Sequence, residues 1–101
     1  MNSNNTIWKK VFKKNKQVIA RDIAQETILV PIRGNMADMQ KIFTLNPVAE
    51  YIWQQLNGKN DLAKIRNGIL GNFDVCKKQA DADIKEFIRQ LIEAGLIEER
   101  N

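Results

Sequence analysis

The sequence contains no histidine, a single cysteine and no long apolar run in its 101 residues. Without histidine there is no Ser-His-Asp or Cys-His nucleophile and no imidazole metal ligand. One thiol, Cys76, cannot form an intrachain disulfide or a cysteine-based zinc site. It fits a reducing, cytoplasmic compartment as a free buried or half-buried thiol. No stretch approaches the roughly 20 apolar residues of a membrane helix. The basic start of the chain is not followed by the apolar core of a secretory signal. Walker-type phosphate loops, GxGxxG turns and cysteine clusters are also missing. What is present, 44% hydrophobic and 28% charged residues, suits one globular domain.

The net charge of +4 is unevenly spread. Lys9, Lys10, Lys13, Lys14 and Lys16 lie in the first 17 residues with no acid among them; the other 84 residues carry 11 basic and 12 acidic side chains. The excess positive charge therefore belongs to the N-terminal segment and not to the body. Residues 1–15 read as a basic, flexible tail. Trp8, Val11 and Phe12 fall at i, i+3 and i+4, so a short basic amphipathic helix is one form it could take. A frayed terminus, or a segment docked on its own domain by the two aromatics, is the plainer one.

From Lys16 to Leu45 the signals are those of strands. Val18 to Ile23 is a β-branched run, Ala24-Gln25 a tight connection, and Glu26 to Ile32 a second strand with Ile28, Val30 and Ile32 on one face. Pro31 cannot donate to a ladder and belongs at a strand end or an outer edge. Arg33-Gly34-Asn35 marks a turn. Lys41-Ile42-Phe43-Thr44-Leu45 reads as a third short strand, with Lys41, Phe43 and Leu45 on one face and Ile42 and Thr44 on the other.

After Asn46 the period becomes helical. Asn46 as N-cap and Pro47 at the first helical position open a helix with an apolar stripe of Val48, Ala49, Ile52, Trp53 and Leu56. Asn57-Gly58 ends it. Asn60 caps a second helix, with Asp61 in its first turn and Leu62, Ile65, Ile69, Leu70 and Phe73 along it. The third runs from about Lys78 to Ala94 on Ala80, Ile84, Phe87, Ile88, Leu91 and Ile92. Gly95 stops it and Leu96-Ile97 pack back. The expected fold is α+β and winged-helix-like: three short antiparallel N-terminal strands followed by a three-helix bundle, βββααα.

Two constellations bear on function. Gly68-Ile69-Leu70-Gly71 has the spacing of a nucleic-acid-clamping GxxG loop, but its middle pair is apolar and it falls within a helical stripe. Small residues permitting a close helix contact explain it better. The third helix carries Asp81, Asp83, Glu86 and Glu93 against Lys85 and Arg89, a poor match to a phosphate-lined groove. An acidic, apolar helix beside a strand edge instead makes a groove for an extended peptide. The carboxylate pairs Asp81/Asp83 and Glu98/Glu99 have no partners for acid-base chemistry, so no enzyme activity is expected.

Four pieces in order carry a resemblance: Val18-Ile19-Ala20-Arg21-Asp22-Ile23 with Thr27-Ile28-Leu29-Val30-Pro31; Thr44-Leu45-Asn46-Pro47-Val48-Ala49-Glu50-Tyr51-Ile52-Trp53; Asn57-Gly58; and Asp83-Ile84, Phe87-Ile88, Leu91 and Gly95-Leu96-Ile97. Together they resemble the PqqD-like family, named for coenzyme PQQ synthesis protein D, over roughly Lys16 to Glu99. The resemblance implies a RiPP recognition element, a non-catalytic, cofactor-free domain. Such a domain binds the leader of a ribosomally made precursor peptide as a strand added beside the third strand. It then presents the precursor to a maturation enzyme, often a radical SAM protein. Carried onto this chain, the peptide-binding residues would be Lys41, Ile42, Phe43, Thr44 and Leu45 on the strand and Asp83, Glu86 and Phe87 on the third helix. Two or three apolar leader anchors are expected, with basic leader residues meeting Asp83 or Glu86. The recognition element itself is expected as a monomer or dimer. The alternatives are a small winged-helix DNA-binding protein using the lysine tail, and a structural subunit of a complex whose strand edge is covered by a partner or a dimer mate.

Overall fold

The computed structural model describes residues 7–16, 18–31 and 43–100. The turn expected at Arg33-Gly34-Asn35, together with Ile32, Lys41, Ile42 and residues 1–6, lies outside them. The expected order is present: strands β2 (Val18–Ile23), β3 (Glu26–Pro31) and β4 (Phe43–Leu45) precede helices α1 (Pro47–Gln55), α2 (Leu62–Asn72) and α3 (Lys77–Glu93). Three further strands, β1 (Val11–Lys14), β5 (Asn57–Asp61) and β6 (Ile97–Glu99), were not expected. They form a second antiparallel sheet in the order β5-β1-β6, while the first is ordered β2-β3-β4.

The segment expected to be a flexible tail thus contains the central strand of a sheet. Residues 7–9 form a short 3-10 turn in place of an amphipathic helix, and Val11-Phe12, a β-branched and an aromatic residue, then enter β1. Phe12 is buried in the core. The lysines are drawn in as well. Lys10 pairs with Glu99 at 3.3 Å and Lys13 with Glu98 at 3.2 Å across the β1–β6 ladder. Lys14 Nζ lies 5.6 Å from the centroid of the buried Trp53 ring, and burial lowers its pKa below the usual lysine value. Trp8 docks beneath the Arg66 guanidinium, 4.6 Å from the ring centroid.

β5 is written in Asn-Gly-Lys-Asn-Asp, all poor strand formers, and is held by its neighbours instead. Arg100 Nη1 donates to the Gly58 carbonyl at 2.6 Å, and Lys59 N donates to Asn57 Oδ1 at 3.0 Å. Gly58 sits at φ +81°, a conformation glycine adopts without strain. Asn60, expected as the α2 cap, is buried in β5 and donates to Gln55 O and Oε1 at 3.2 and 3.1 Å. Asp61 takes the cap, its Oδ1 accepting from Lys64 N at 2.8 Å. The α1 cap is as expected: Asn46 Oδ1 accepts from Ala49 N at 2.8 Å with Pro47 following.

The β2–β3 hairpin closes at Ala24-Gln25, both with positive φ (52° and 70°). Two left-handed residues in a two-residue loop match the right-handed strand twist, but neither side chain favours that region. Replacing the pair with Asn-Gly is expected to stabilise the protein by about 1–2 kcal/mol and raise Tm by several degrees, read by thermal unfolding. In β3 the face that turns inward is that of Thr27 and Leu29; Ile28 and Val30 are half-buried on the other side. Burying Thr27 needs hydroxyl partners, and its Oγ1 lies 2.9 Å from Asp22 Oδ1 and 2.6 Å from Glu50 Oε2. Pro31, opposite Val18, ends the strand.

The core is one cluster that includes Leu29 of β3, Ile52 and Leu56 of the α1 segment, Leu62, Ile65 and Ile69 of α2, and Ile84, Ile88 and Leu91 of α3. Ile92, read as part of the α3 stripe, is 48% exposed, and Cys76 at the α3 N-cap is exposed and not buried. Gly95 at φ +75° ends α3 and turns the chain, so that Leu96 and Ile97 return to the core. No helix among the described residues is long and apolar enough to cross a membrane.

Candidate functional site

β4 pairs with β3 along one side, Thr27 opposite Leu45, Ile28 opposite Thr44 and Leu29 opposite Phe43. Among the described residues no strand pairs with its other side. Alternation sends Phe43 and Leu45 into the core and leaves Thr44 exposed.

α3 presents two stripes. Ala80, Ile84, Ile88 and Leu91 are buried and fix the helix against the core. Asp83, Glu86, Phe87 and Gln90, at i, i+3, i+4 and i+7, form a second stripe facing β4 across a groove of about 320 Å³. The stripe is about 10 Å long at 1.5 Å per residue, close to the span of three or four extended residues. The start of α1 closes the groove with Asn46, Val48, Ala49 and Ile52. The walls are therefore apolar at Phe43, Leu45, Val48, Ile52 and Phe87, with carboxylates on the helical side.

These carboxylates differ. Glu86 is engaged within α3: Arg89 Nε donates to its Oε1 at 3.2 Å, Arg89 Nη2 donates to Oε2, and Gln90 Nε2 donates to Oε2 at 2.8 Å. Arg89 also donates to Glu93 at 2.6 Å, and these two acids raise its pKa further above an already high value. Asp83 Oδ1 accepts from the neutral Gln79 amide at 2.7 Å, its one partner among the described residues.

Of the eight residues expected to bind peptide, Phe43, Thr44, Leu45, Asp83, Glu86 and Phe87 line this one groove. Lys41 and Ile42 lie outside the described residues. The sequence reading missed Asn46, Val48, Ala49, Ile52 and Gln90 as lining residues. The helical period signalled Gln90, four residues after Glu86. The α1 residues gave no such signal, because an apolar stripe does not say which of its members stop at a groove rather than in the core.

The GxxG tetrapeptide is not a loop. It lies within α2, with Ile69 fully buried.

Comparison with known proteins agrees with this fold. No curated protein matches the chain. Two solved structures share the fold. One is TbiB1 in complex with the TbiA(beta) leader peptide, with a TM-score of 0.66 at 23% identity over 85% of this chain and 94% of that one. The other is a lasso peptide synthetase B1 complexed with the leader peptide, with a TM-score of 0.68 at 20% identity over 86% and 96%. The family model of coenzyme PQQ synthesis protein D (PqqD) matches residues 26–97, spanning β3, β4, all three helices and the groove between them. The chain belongs to the PqqD family.

Proposed function

We propose that this protein binds the leader of a ribosomally made precursor peptide as an extended strand beside β4, in the groove against α3. It then presents the precursor to a maturation enzyme such as a radical SAM protein. It acts in the cytoplasm as a peptide chaperone without catalysis of its own. The observation that carries the reading is the groove itself: a terminal strand, an apolar floor and a helix stripe within reach of one extended peptide. Family membership, and the leader peptides bound to two proteins of the same fold, support it.

The energetics constrain the ligand. Ordering a peptide residue costs about 1–2 kcal/mol, while a strand hydrogen bond returns only about 1 kcal/mol net. The backbone ladder therefore sets direction and register, and apolar side chains seated against Phe43, Ile52 and Phe87 must supply the affinity.

The DNA-binding alternative relied on free tail lysines, and two of those five are ion-paired to Glu98 and Glu99 while Lys14 is partly buried. NMR titration of the labelled protein separates the readings. The probes are synthetic leader segments from neighbouring short reading frames and, in parallel, a DNA duplex. Peptide-induced shifts at Phe43–Leu45 and at Asp83, Glu86 and Phe87 are the expected result. Shifts restricted to Lys9–Lys16, produced by DNA alone, would overturn it.

A further inference from the structure

We infer that Asp83 makes the groove selective for peptides carrying a lysine or arginine beside the apolar residue that packs on Phe87; this rests on the groove being the peptide site. α3 holds four acids, and three of them already have a cation within the fold. Asp81 is paired with Lys77 at 3.0 Å and Arg66 at 3.5 Å, and Glu86 and Glu93 share Arg89. Asp83 is the exception. It lines the groove, it is half-buried, and its one partner among the described residues is the neutral amide of Gln79 on Oδ1.

Its surroundings strengthen the effect. One turn further along the helix Phe87 supplies an apolar wall, and Phe43 lines the same groove from β4. A peptide laid in this groove excludes water from the carboxylate, which disfavours a neutral or acidic neighbour and favours a cation that can donate to it. Glu86 does not offer the same interaction. Two Arg89 nitrogens and the Gln90 amide already donate to it, so a peptide cation would have to displace a bound guanidinium. The sequence alone leaves Asp83 and Glu86 equivalent; the ion pairing within α3 separates them.

The test is selection from a phage-displayed library of random linear peptides on four proteins: wild type, Asp83→Asn, Asp83→Lys and Glu86→Gln. Wild type is expected to enrich peptides that combine apolar anchors with Lys or Arg at a constant offset. Asp83→Asn loses the basic preference and binds the wild-type winners about five- to tenfold more weakly. Asp83→Lys exchanges the preference for Asp or Glu at the same offset. Glu86→Gln, which alters the groove wall as well, keeps the basic preference at the same offset. Position 83 is not in the buried stripe, and amide spectra of each variant report that the fold is intact. Winners that shift β4 and α3 resonances but show no basic bias would overturn the selectivity and leave peptide binding standing. A library yielding no peptide that maps to the groove would overturn both.

Discussion

Gly68→Ala is expected to destabilise the protein by about 2 kcal/mol, whereas Gly71→Ala, three residues on in the same helix, stabilises it by about 0.5–1 kcal/mol. Alanine is the better helix former at both positions, so propensity alone predicts a gain at each. The difference lies in what a methyl group would meet. At Gly68 it would overlap the Tyr51 hydroxyl, with ring carbon Cζ at 2.8 Å and Cε2 at 3.1 Å. Tyr51 cannot yield without loss, because its ring meets Phe73 edge-on at a centroid distance of 5.8 Å. At Gly71 nothing lies within 4 Å. Denaturant unfolding of both variants measures the difference. Tyr51→Phe in the Gly68→Ala background removes the hydroxyl overlap and is expected to recover about half the loss. A Gly68→Ala protein as stable as wild type would mean that Tyr51 does not pack on α2 in this way.

N-methylation of a groove-binding peptide, one backbone amide at a time, is expected to abolish binding at every second position. A peptide enriched on the wild-type protein serves as the probe. In a strand added beside β4, alternate amides point toward the edge and the intervening ones point away. Each methyl on an inward amide removes a hydrogen bond and inserts bulk between the strands, with an expected loss of at least about thirtyfold, or roughly 2 kcal/mol. Methyl groups on outward amides change affinity by less than about threefold. A helical ligand in the same groove would lose binding at consecutive interior positions, because every interior amide there is used within the helix. Isothermal titration of the methylated series gives the pattern directly, and an absence of period two would exclude strand addition. In the complementary variant, Phe87→Ala, the groove loses an apolar wall. That variant is expected to weaken every peptide in the series by a similar factor without altering the period.

The helical half of the molecule was legible because its signals are local. Asn46-Pro47 starts α1, the stripe Ala80, Ile84, Ile88 and Leu91 is buried, and Gly95 at positive φ ends α3. The two sides of the groove were legible for a related reason: a strand with Phe43 and Leu45 on one face, and a helix with Asp83, Glu86 and Phe87 on one side, are both read from short periods. What local reading left open or misplaced depends on distant chain. Ile28 and Val30 share a face, as their spacing indicates, but which face turns inward was not legible: it is that of Thr27 and Leu29, with Asp22 and Glu50 within hydrogen-bond distance of the Thr27 hydroxyl. Ile92 fits the stripe of α3 but lies beyond the reach of the core.

The sequence by itself determined the order of the principal elements, the caps at Asn46 and Gly95, the amphipathic register of α3 and the pairing of an apolar strand with an acidic helix. Each follows from backbone preferences and side-chain periods within a few residues. Only the tertiary structure decided that the basic N-terminal segment is a strand, that Asn57–Asp61 is another, and that both join Ile97–Glu99 in one sheet. The same holds for which acid of α3 has no cation partner among the described residues. Val11 to Lys14 gains its ladder from partners more than 40 residues away, and the opposite charges of Lys10, Lys13, Glu98 and Glu99 meet only once that ladder forms. Pairings of that kind are fixed by the whole chain closing on its core, and no local window contains both halves of them.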